Sequence, residues 1–318
     1  MSSNPANVSE SEAQTTRPTP RRFFLGALVL GLVNVACSST TQRTIKSAKR
    51  KKYFDAVELF PADLDLVLRV DLARMRVALG PMAQSLSSKV SADLKLDDAL
   101  MLRALEHARV AWIGTRIADL ESGDRVLIVE GDVEDIRPDA DTFTELDPPL
   151  MEGVRSFERR GPVARDATAR IHLLGSQTIL FTTGVEVDGV ERVLMRGPDP
   201  GRRDPRAEGI VSADLRGRRL PSRFERKFPS IGAIARGVKR VQASVTLVDD
   251  QVHADFEVAT NSATESTKLA KFLNALREGG QAGRYAVFFD GLHVERVEQA
   301  VQIKWVAPVD LLRDVVAQ

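Results

Sequence analysis

The clearest structural signal in the chain is the pair of apolar runs Val110-Ala111-Trp112-Ile113-Gly114-Thr115-Arg116 and Arg125-Val126-Leu127-Ile128-Val129-Glu130-Gly131. Both runs are rich in Val and Ile, which favour β-strands. Between them, Ser122-Gly123-Asp124 supplies turn-forming residues. These residues together predict a β-hairpin.

Further strands and helices are predicted on either side of this hairpin. The segment Asp65 to Asp71 alternates and is rich in Val and Leu, so it predicts a strand. Apolar residues at helical spacing predict helices over 72–90 and 96–108. Downstream, the pattern predicts a short helix at 141–146, strands near 154–159, 169–174 and 178–183, and a helix over 185–195.

The same order of elements recurs after Gly197-Pro198-Asp199-Pro200-Gly201, where proline and glycine mark an internal boundary. The second half predicts a strand at 209–215, a helical segment at 223–236, a hairpin from 241–247 and 252–259, a helix over 262–277, strands at 285–289 and 301–306, and a terminal helix at 309–316. The sequence therefore predicts an α+β fold. It is a duplicated strand-helix-hairpin-helix-strand unit, with a mostly antiparallel sheet and helices on one face.

Five segments follow from these patterns. They are a signal peptide with a lipobox-like end (1–37), a flexible basic tether (38–58), a first α+β half (59–197), a Pro/Gly-rich connector (198–206) and a second α+β half (207–318). The chain is 43% hydrophobic and 28% charged, which is typical of globular proteins. Its formal net charge of +1 gives no general attraction to nucleic acid.

The N-terminus has the three parts of a secretory signal. Basic residues precede an apolar stretch of about 11 to 14 residues, shorter than the ~20 that a spanning helix needs, and small residues follow it. Arg21 and Arg22, with Phe24 and Leu25 after them, resemble the twin-arginine export signal. That resemblance implies export of a protein that has already folded. The alternative is that the two arginines are the charge of a general secretion signal.

Cys37 is the only cysteine in the chain and follows Val35-Ala36 directly. This position resembles the lipidated cysteine of bacterial lipoproteins, in which a diacylglycerol is attached to the thiol and the chain is cut just before it. Ser38-Ser39-Thr40-Thr41 resembles the polar tether of such proteins, and serine after the cysteine resembles the pattern sent to the outer membrane. The resemblance implies a lipid anchor in the cell envelope, at the outer membrane and facing the periplasm.

A short stretch of the mature chain carries a second resemblance. The segment Leu59-Phe60-Pro61-Ala62-Asp63-Leu64-Asp65, together with Arg69-Val70-Asp71-Leu72, resembles the opening of an uncharacterised set of bacterial exported lipoproteins. It implies no activity.

The densest cluster of positive charge has two interpretations. One is an anion-binding patch for phosphate, lipopolysaccharide, anionic lipid or an acidic partner. The other is a solvated charged face. Its residues are Arg216, Arg218, Arg219, Arg223, Arg226 and Lys227.

No motif in the chain predicts an enzyme, a cofactor or a metal. The four histidines lack ligand spacing, no Gly-x-Ser-x-Gly elbow occurs, and a lone cysteine cannot form an internal disulfide. In the strand predicted near 169–174, His172 is expected to be a surface residue or a hydrogen-bonded sheet residue.

The leading hypothesis is a membrane-anchored envelope lipoprotein that acts as a binding or structural module. Its alternatives are an envelope hydrolase of unrecognised family and a carrier of lipid or a small molecule. The expected partners are the membrane, through Cys37, and an envelope protein or anionic envelope component.

Overall fold

The computed structural model describes residues 55–80, 83, 98–117, 124–217, 226, 229–280 and 286–311. Twelve strands form one sheet in which each pairing is antiparallel. The strands are β1 (Leu66–Asp71), β2 (Ala108–Thr115), β3 (Val126–Gly131), β4 (Phe143–Glu145), β5 (Val154–Arg159), β6 (Thr168–Leu174), β7 (Thr178–Thr183), β8 (Val211–Arg216), β9 (Val238–Val248), β10 (Gln251–Thr260), β11 (Leu292–Val297) and β12 (Ala300–Pro308).

The helices of the described residues pack against this sheet. The α-helices are α1 (Leu72–Leu79), α2 (Ala99–His107), α3 (Val187–Arg196), α4 (Pro229–Ala235), α5 (Ala263–Gly280) and α6 (Ala286–Asp290). Two 3₁₀ helices span Ala56–Leu59 and Gly184–Glu186. The predicted α+β class with an antiparallel sheet is therefore confirmed.

The two halves of the chain meet at the centre of the sheet. The strand order is β11-β12-β10-β9-β8-β1-β2-β3-β7-β6-β5-β4, so β1 lies directly beside β8. Leu68 at this joint pairs with Ile113 on one side and with Ala213 on the other. The first seven strands thus form one continuous block, and the last five form the other.

Helices cover both faces of the N-terminal block. On the side that we call face A, Ile113 and Leu127 pack against residues of α1 and α2. On the opposite side, face B, Trp112 and Ile128 pack against the 3₁₀ helix Ala56–Leu59 and α3. The prediction of helices on one face was wrong for this block, because β2 and β3 are buried on both faces and both must be covered.

Gly114 allows the segment that follows the 3₁₀ helix Ala56–Leu59 to lie close to the sheet. A Cβ at this position would lie 2.6 Å from Leu64 Cδ1 and 2.7 Å from Phe60 Cδ1. Glycine in the middle of β2 therefore makes room for two fully buried side chains. The pattern of the strand alone does not distinguish this use of glycine from a bulge.

The C-terminal block has helices on face A only, among the residues that the structure describes. Leu269 of α5 packs against Val241 and Val258 on face A. Face B of the same strands carries mostly polar side chains. These are Gln242, Ser244, Thr246, His253, Asp255, Glu257, Gln302 and Lys304.

Three local predictions differ from the structure. The short helix predicted at 141–146 is instead strand β4, which buries Phe143 in the core. The strand predicted at 285–289 is instead helix α6, because a short apolar run fits either structure and tertiary packing selects one. Strand β11 was not predicted, since the charged residues His293, Glu295 and Arg296 interrupt its apolar pattern.

Candidate functional site

A cleft of about 440 Å³ opens on face B where the two halves of the sheet meet. The start of the 3₁₀ helix Ala56–Leu59 forms one wall, and the segment 204–207 forms the other. The floor comes from β2 and β3. Its lining residues are Asp55, Ala56, Val57, Trp112, Glu130, Asp204, Pro205, Arg206 and Ala207.

The floor of the cleft is fixed by contacts between β1, β2 and β3. Trp112 donates its indole N–H to Glu130 Oε2 at 2.6 Å. The guanidinium carbon of Arg69, the neighbour of Trp112 in the sheet register, lies 5.6 Å from the ring centroid, within cation–π range. Arg69 also donates to Gly209 O at 3.0 Å and to Asp71 Oδ2 at 3.2 Å. These bonds hold the indole in one orientation.

The wall formed by residues 204–207 is held by a buried carboxylate on β8. Asp214 is fully buried, and its Oδ2 accepts the backbone N–H of Asp204 at 2.8 Å. Arg240 on β9 donates to both Asp214 oxygens, at 2.9 and 2.6 Å. The hydrogen bond to Asp214 raises the pKa of Arg240 above its ordinary value, so the guanidinium keeps its charge. The Pro/Gly-rich connector predicted at 198–206 is therefore bonded to the sheet at Asp204.

Arg206 separates the cleft from a second, smaller depression on face B. Its Nη2 lies 2.7 Å from Glu257 Oε2 on β10. The second depression has a volume of about 230 Å³ and is mainly polar, with Gln242, Asp255 and Lys304 among its lining residues. Arg206 thus belongs to the rim of both depressions.

The cleft combines apolar surface with carboxylates. Trp112, Val57 and Pro205 supply apolar atoms, while Asp55 and Asp204 have exposed side chains. Among the described residues, neither of these two aspartates forms a salt bridge, whereas both Arg69 and Arg206 do. A ligand with an apolar body and a positive charge suits this lining.

A serine–histidine pair lies elsewhere in the sheet but is closed to substrates. Ser156 Oγ and His172 Nδ1 are 2.8 Å apart, and both residues are 0% exposed. Burial, and then the charge of Arg170, lower the pKa of His172 from 6.5 to about 3. The imidazole is therefore neutral, and its Nε2 has no hydrogen-bond partner among the residues that the structure describes. Of the two alternatives expected for His172, a surface residue and a hydrogen-bonded sheet residue, the structure shows the second, and the pair is a core contact.

Most residues that the sequence singled out lie outside the described part of the chain. These are Arg21, Arg22, Phe24, Leu25, Cys37, Arg218, Arg219, Arg223 and Lys227. Arg216 ends β8 and is half-buried, and Arg226 is exposed. The described residues therefore leave the anion-binding patch and the lipid anchor as predictions.

Sequence reasoning missed the residues that build the cleft. Arg69 and Asp71 are charges within an apolar strand, and Trp112 is one of two tryptophans in the chain. Both features were visible, but their relation to Asp204 and Asp214 required the sheet register.

Metal-binding clusters and membrane-spanning helices are both absent from the described residues. They contain no group of three or more His, Cys, Asp or Glu side chains placed to hold a metal ion. None of their helices is both long enough and apolar enough to cross a membrane.

Comparisons with known proteins give only distant similarity. No protein-family model matches the chain, and no curated protein matches it. Crystal form I of TP0453 aligns with a TM-score of 0.49 at 10% identity, covering 83% of this chain and 97% of that one. Crystal form III of TP0453 aligns at 0.46 with 11% identity, over 84% and 99% of the two chains. These scores carry no argument about function.

Proposed function

We propose that this protein is a lipid-anchored binding module of the cell envelope that takes its ligand in the cleft on face B. The lipoprotein-like position of Cys37 and the export signal before it support the anchor. The observation that carries the binding role is the cleft itself, a preorganised cavity at the joint of the two halves. Its 440 Å³ falls within the range of roughly 300–1,000 Å³ usual for small-molecule sites.

Rigid elements support this role for the cleft. Trp112 and Glu130 lie on central strands, and the wall at 204–207 is bonded to the buried Asp214. Side chains held in this way lose little conformational entropy when a ligand binds. The ligand class that fits the lining is an organic cation with an apolar group, which includes a lysine or arginine side chain of a partner protein.

Intact mass tests the anchor. The mature protein is extracted from membranes of its own host beside a Cys37→Ala version. We expect the native chain to begin at Cys37 with added acyl mass, and the variant to lack that mass. A native chain cut elsewhere, without lipid, would contradict the anchor.

Fluorescence tests the cleft. In a Trp305→Phe variant, Trp112 is the only tryptophan and reports on the floor of the cleft. We expect saturable changes in its emission with phenethylammonium and much weaker changes with phenylpropionate, which has a similar shape and the opposite charge. Asp55→Asn with Asp204→Asn should weaken the response, because both carboxylates face the ligand. Asp249→Asn, in the turn between β9 and β10, is the matched control. Equal responses to both probes, or none, would refute the cation-binding cleft.

The arrangement of strands also supports the proposal that the two halves are a duplicated unit. In each half a strand at the central joint is followed by helix on face A and then by a hairpin, which gives β1, β2 and β3 in one half and β8, β9 and β10 in the other. An approximate two-fold axis between β1 and β8 would relate these sets. Superposition of residues 66–131 on 211–260 tests this, since a best rotation far from 180° would argue against duplication.

A further inference from the structure

The two outer edges of the sheet differ in length. Strand β4, at one end, has three residues, and such short edges offer little backbone for pairing. Strand β11, at the other end, has six residues and no proline. Within the described residues, no strand pairs with the outer edge of β11. This edge is therefore the longer template for an added strand.

The alternation of hydrogen bonds along β11 shows which of its backbone groups point outward. Val306 donates its backbone N–H to Gly291 O, and these two residues are opposite one another in the register that continues through β11 and β12. In antiparallel pairs, residues alternate between bonding the partner and pointing away from it. The residues His293, Glu295 and Val297 therefore bond β12, while Leu292, Val294 and Arg296 direct their N–H and C=O groups outward.

We propose that β11 pairs with β11 of a second copy of this chain, antiparallel about a two-fold axis at Val294. In this register Val294 lies opposite Val294 of the second copy, and Leu292 lies opposite Arg296 of the second copy. All three outward-pointing residues then form hydrogen-bonded pairs, with six backbone bonds in total. The axis is perpendicular to the sheet, so face A continues into face A.

Side-chain charge selects this register over its neighbours. With Val294 on the axis, each His293 lies opposite Glu295 of the other copy, on face B. The alternation of backbone hydrogen bonds also permits an axis at Glu295. That register would place the Glu295 carboxylates of the two copies opposite each other, which would destabilise the pairing of the two strands. An axis at His293 would place Glu295 opposite Gly291 of the second copy and lose the contact between His293 and Glu295. The pairing is isologous and closed, as in most soluble dimers.

A single cysteine tests the geometry. The background is the full chain with Cys37→Ala in mild detergent, which contains no other thiol. In Val294→Cys, the two thiols would meet at the axis with Cα atoms about 5.5 Å apart, which a disulfide spans. In the matched control Leu292→Cys, the two positions lie about 13 Å apart along the strands, too far for a disulfide. We expect about ten-fold more cross-linked dimer for Val294→Cys under mild oxidation.

A proline variant tests the role of the backbone. Val294→Pro removes an outward N–H and leaves the bonds between β11 and β12 intact. The parent chain should sediment at twice its 34.9 kDa mass, and Val294→Pro should sediment as a monomer whose circular dichroism spectrum shows that it remains folded. Cross-linking no greater than in Leu292→Cys, or a monomeric parent chain, would overturn the proposal. Both readouts are independent of ligand binding in the cleft and of the lipid anchor.

Discussion

At the residue scale, buried charged side chains of the sheet are paired with opposite charges. Asp214 is fully buried yet accepts two bonds from Arg240 and one from a backbone N–H. Arg69 contacts Asp71 on the same strand, β1, and lies over the ring of Trp112 in the floor of the cleft. Removing one member of such a pair is costly, because the other then stays buried without compensation. These pairs therefore constrain the shape of face B.

His172 is a buried residue whose protonation should affect stability. Its pKa falls to about 3 in the folded state, mainly because it is buried, whereas an unfolded chain titrates near 6.5. Below pH 6.5 the unfolded chain binds a proton that the folded chain excludes. The free energy of unfolding should therefore fall from pH 6.5 towards pH 3, by up to about 1.4 kcal/mol per pH unit from this residue.

Denaturant unfolding between pH 7 and pH 4 measures this contribution. His172→Leu should reduce the slope of the free energy of unfolding against pH by the equivalent of about one bound proton. His107→Gln, at an exposed position, should leave the slope unchanged. If His172→Leu keeps the full slope, another group accounts for the acid sensitivity.

At the element scale, the additional cover on face B distinguishes the two halves of the sheet. Helix α3 and the 3₁₀ helix Ala56–Leu59 bury Trp112, Ile128 and Leu180 on this face. Beyond β1, face B of strands β9, β10 and β12 carries polar residues and has no helix among the described ones. The cleft lies at the boundary between the covered and the open part, where the edge of the helical layer provides one wall.

Helix α3 should stabilise the fold through its inner side only. Leu194 is buried in the face B core, whereas its neighbour Met195 is 48% exposed. Leu194→Ala should lower the free energy of unfolding by about 2–5 kcal/mol, because it removes apolar contacts and leaves a cavity. Met195→Ala should change it by less than about 0.5 kcal/mol. Chemical denaturation of the two variants compares them, and similar losses would show that α3 does not pack as described.

At the scale of the whole molecule, the two halves share their cores as well as their sheet. Leu66 and Ile117 of the first half belong to the core around α5. Ile210 of the second half belongs to the core around α1 and α2. Together with the pairing of β1 and β8, these contacts make separate unfolding of either half unfavourable.

The two tryptophans report on the two halves separately. Trp112 lies in the first half and Trp305 in the second, so Trp305→Phe and Trp112→Phe each leave one reporter. In each variant, we expect the unfolding transition followed by fluorescence to coincide with the loss of secondary structure followed by circular dichroism. A fluorescence transition that precedes the loss of secondary structure in one variant would indicate that its half unfolds independently.

The sequence by itself determined the elements whose signal is local. The β2–β3 hairpin, most of the helices and the antiparallel α+β class follow from the spacing of apolar residues and from turn chemistry. The lipid anchor at Cys37 is also a local signal, and it stays a prediction. Local spacing was insufficient where a short segment fits two structures, as for β4 and α6, or where charges hide the pattern, as for β11.

Only the tertiary structure decided which faces are covered and where the cleft lies. Trp112, Asp204 and Asp214 are far apart in the chain, and they come together because β1 pairs with both β2 and β8. That pairing depends on the summed burial of whole strands and helices, which no short window of sequence contains. The register of β11, and with it the proposed dimer axis at Val294, is set by the pairing of β11 with β12.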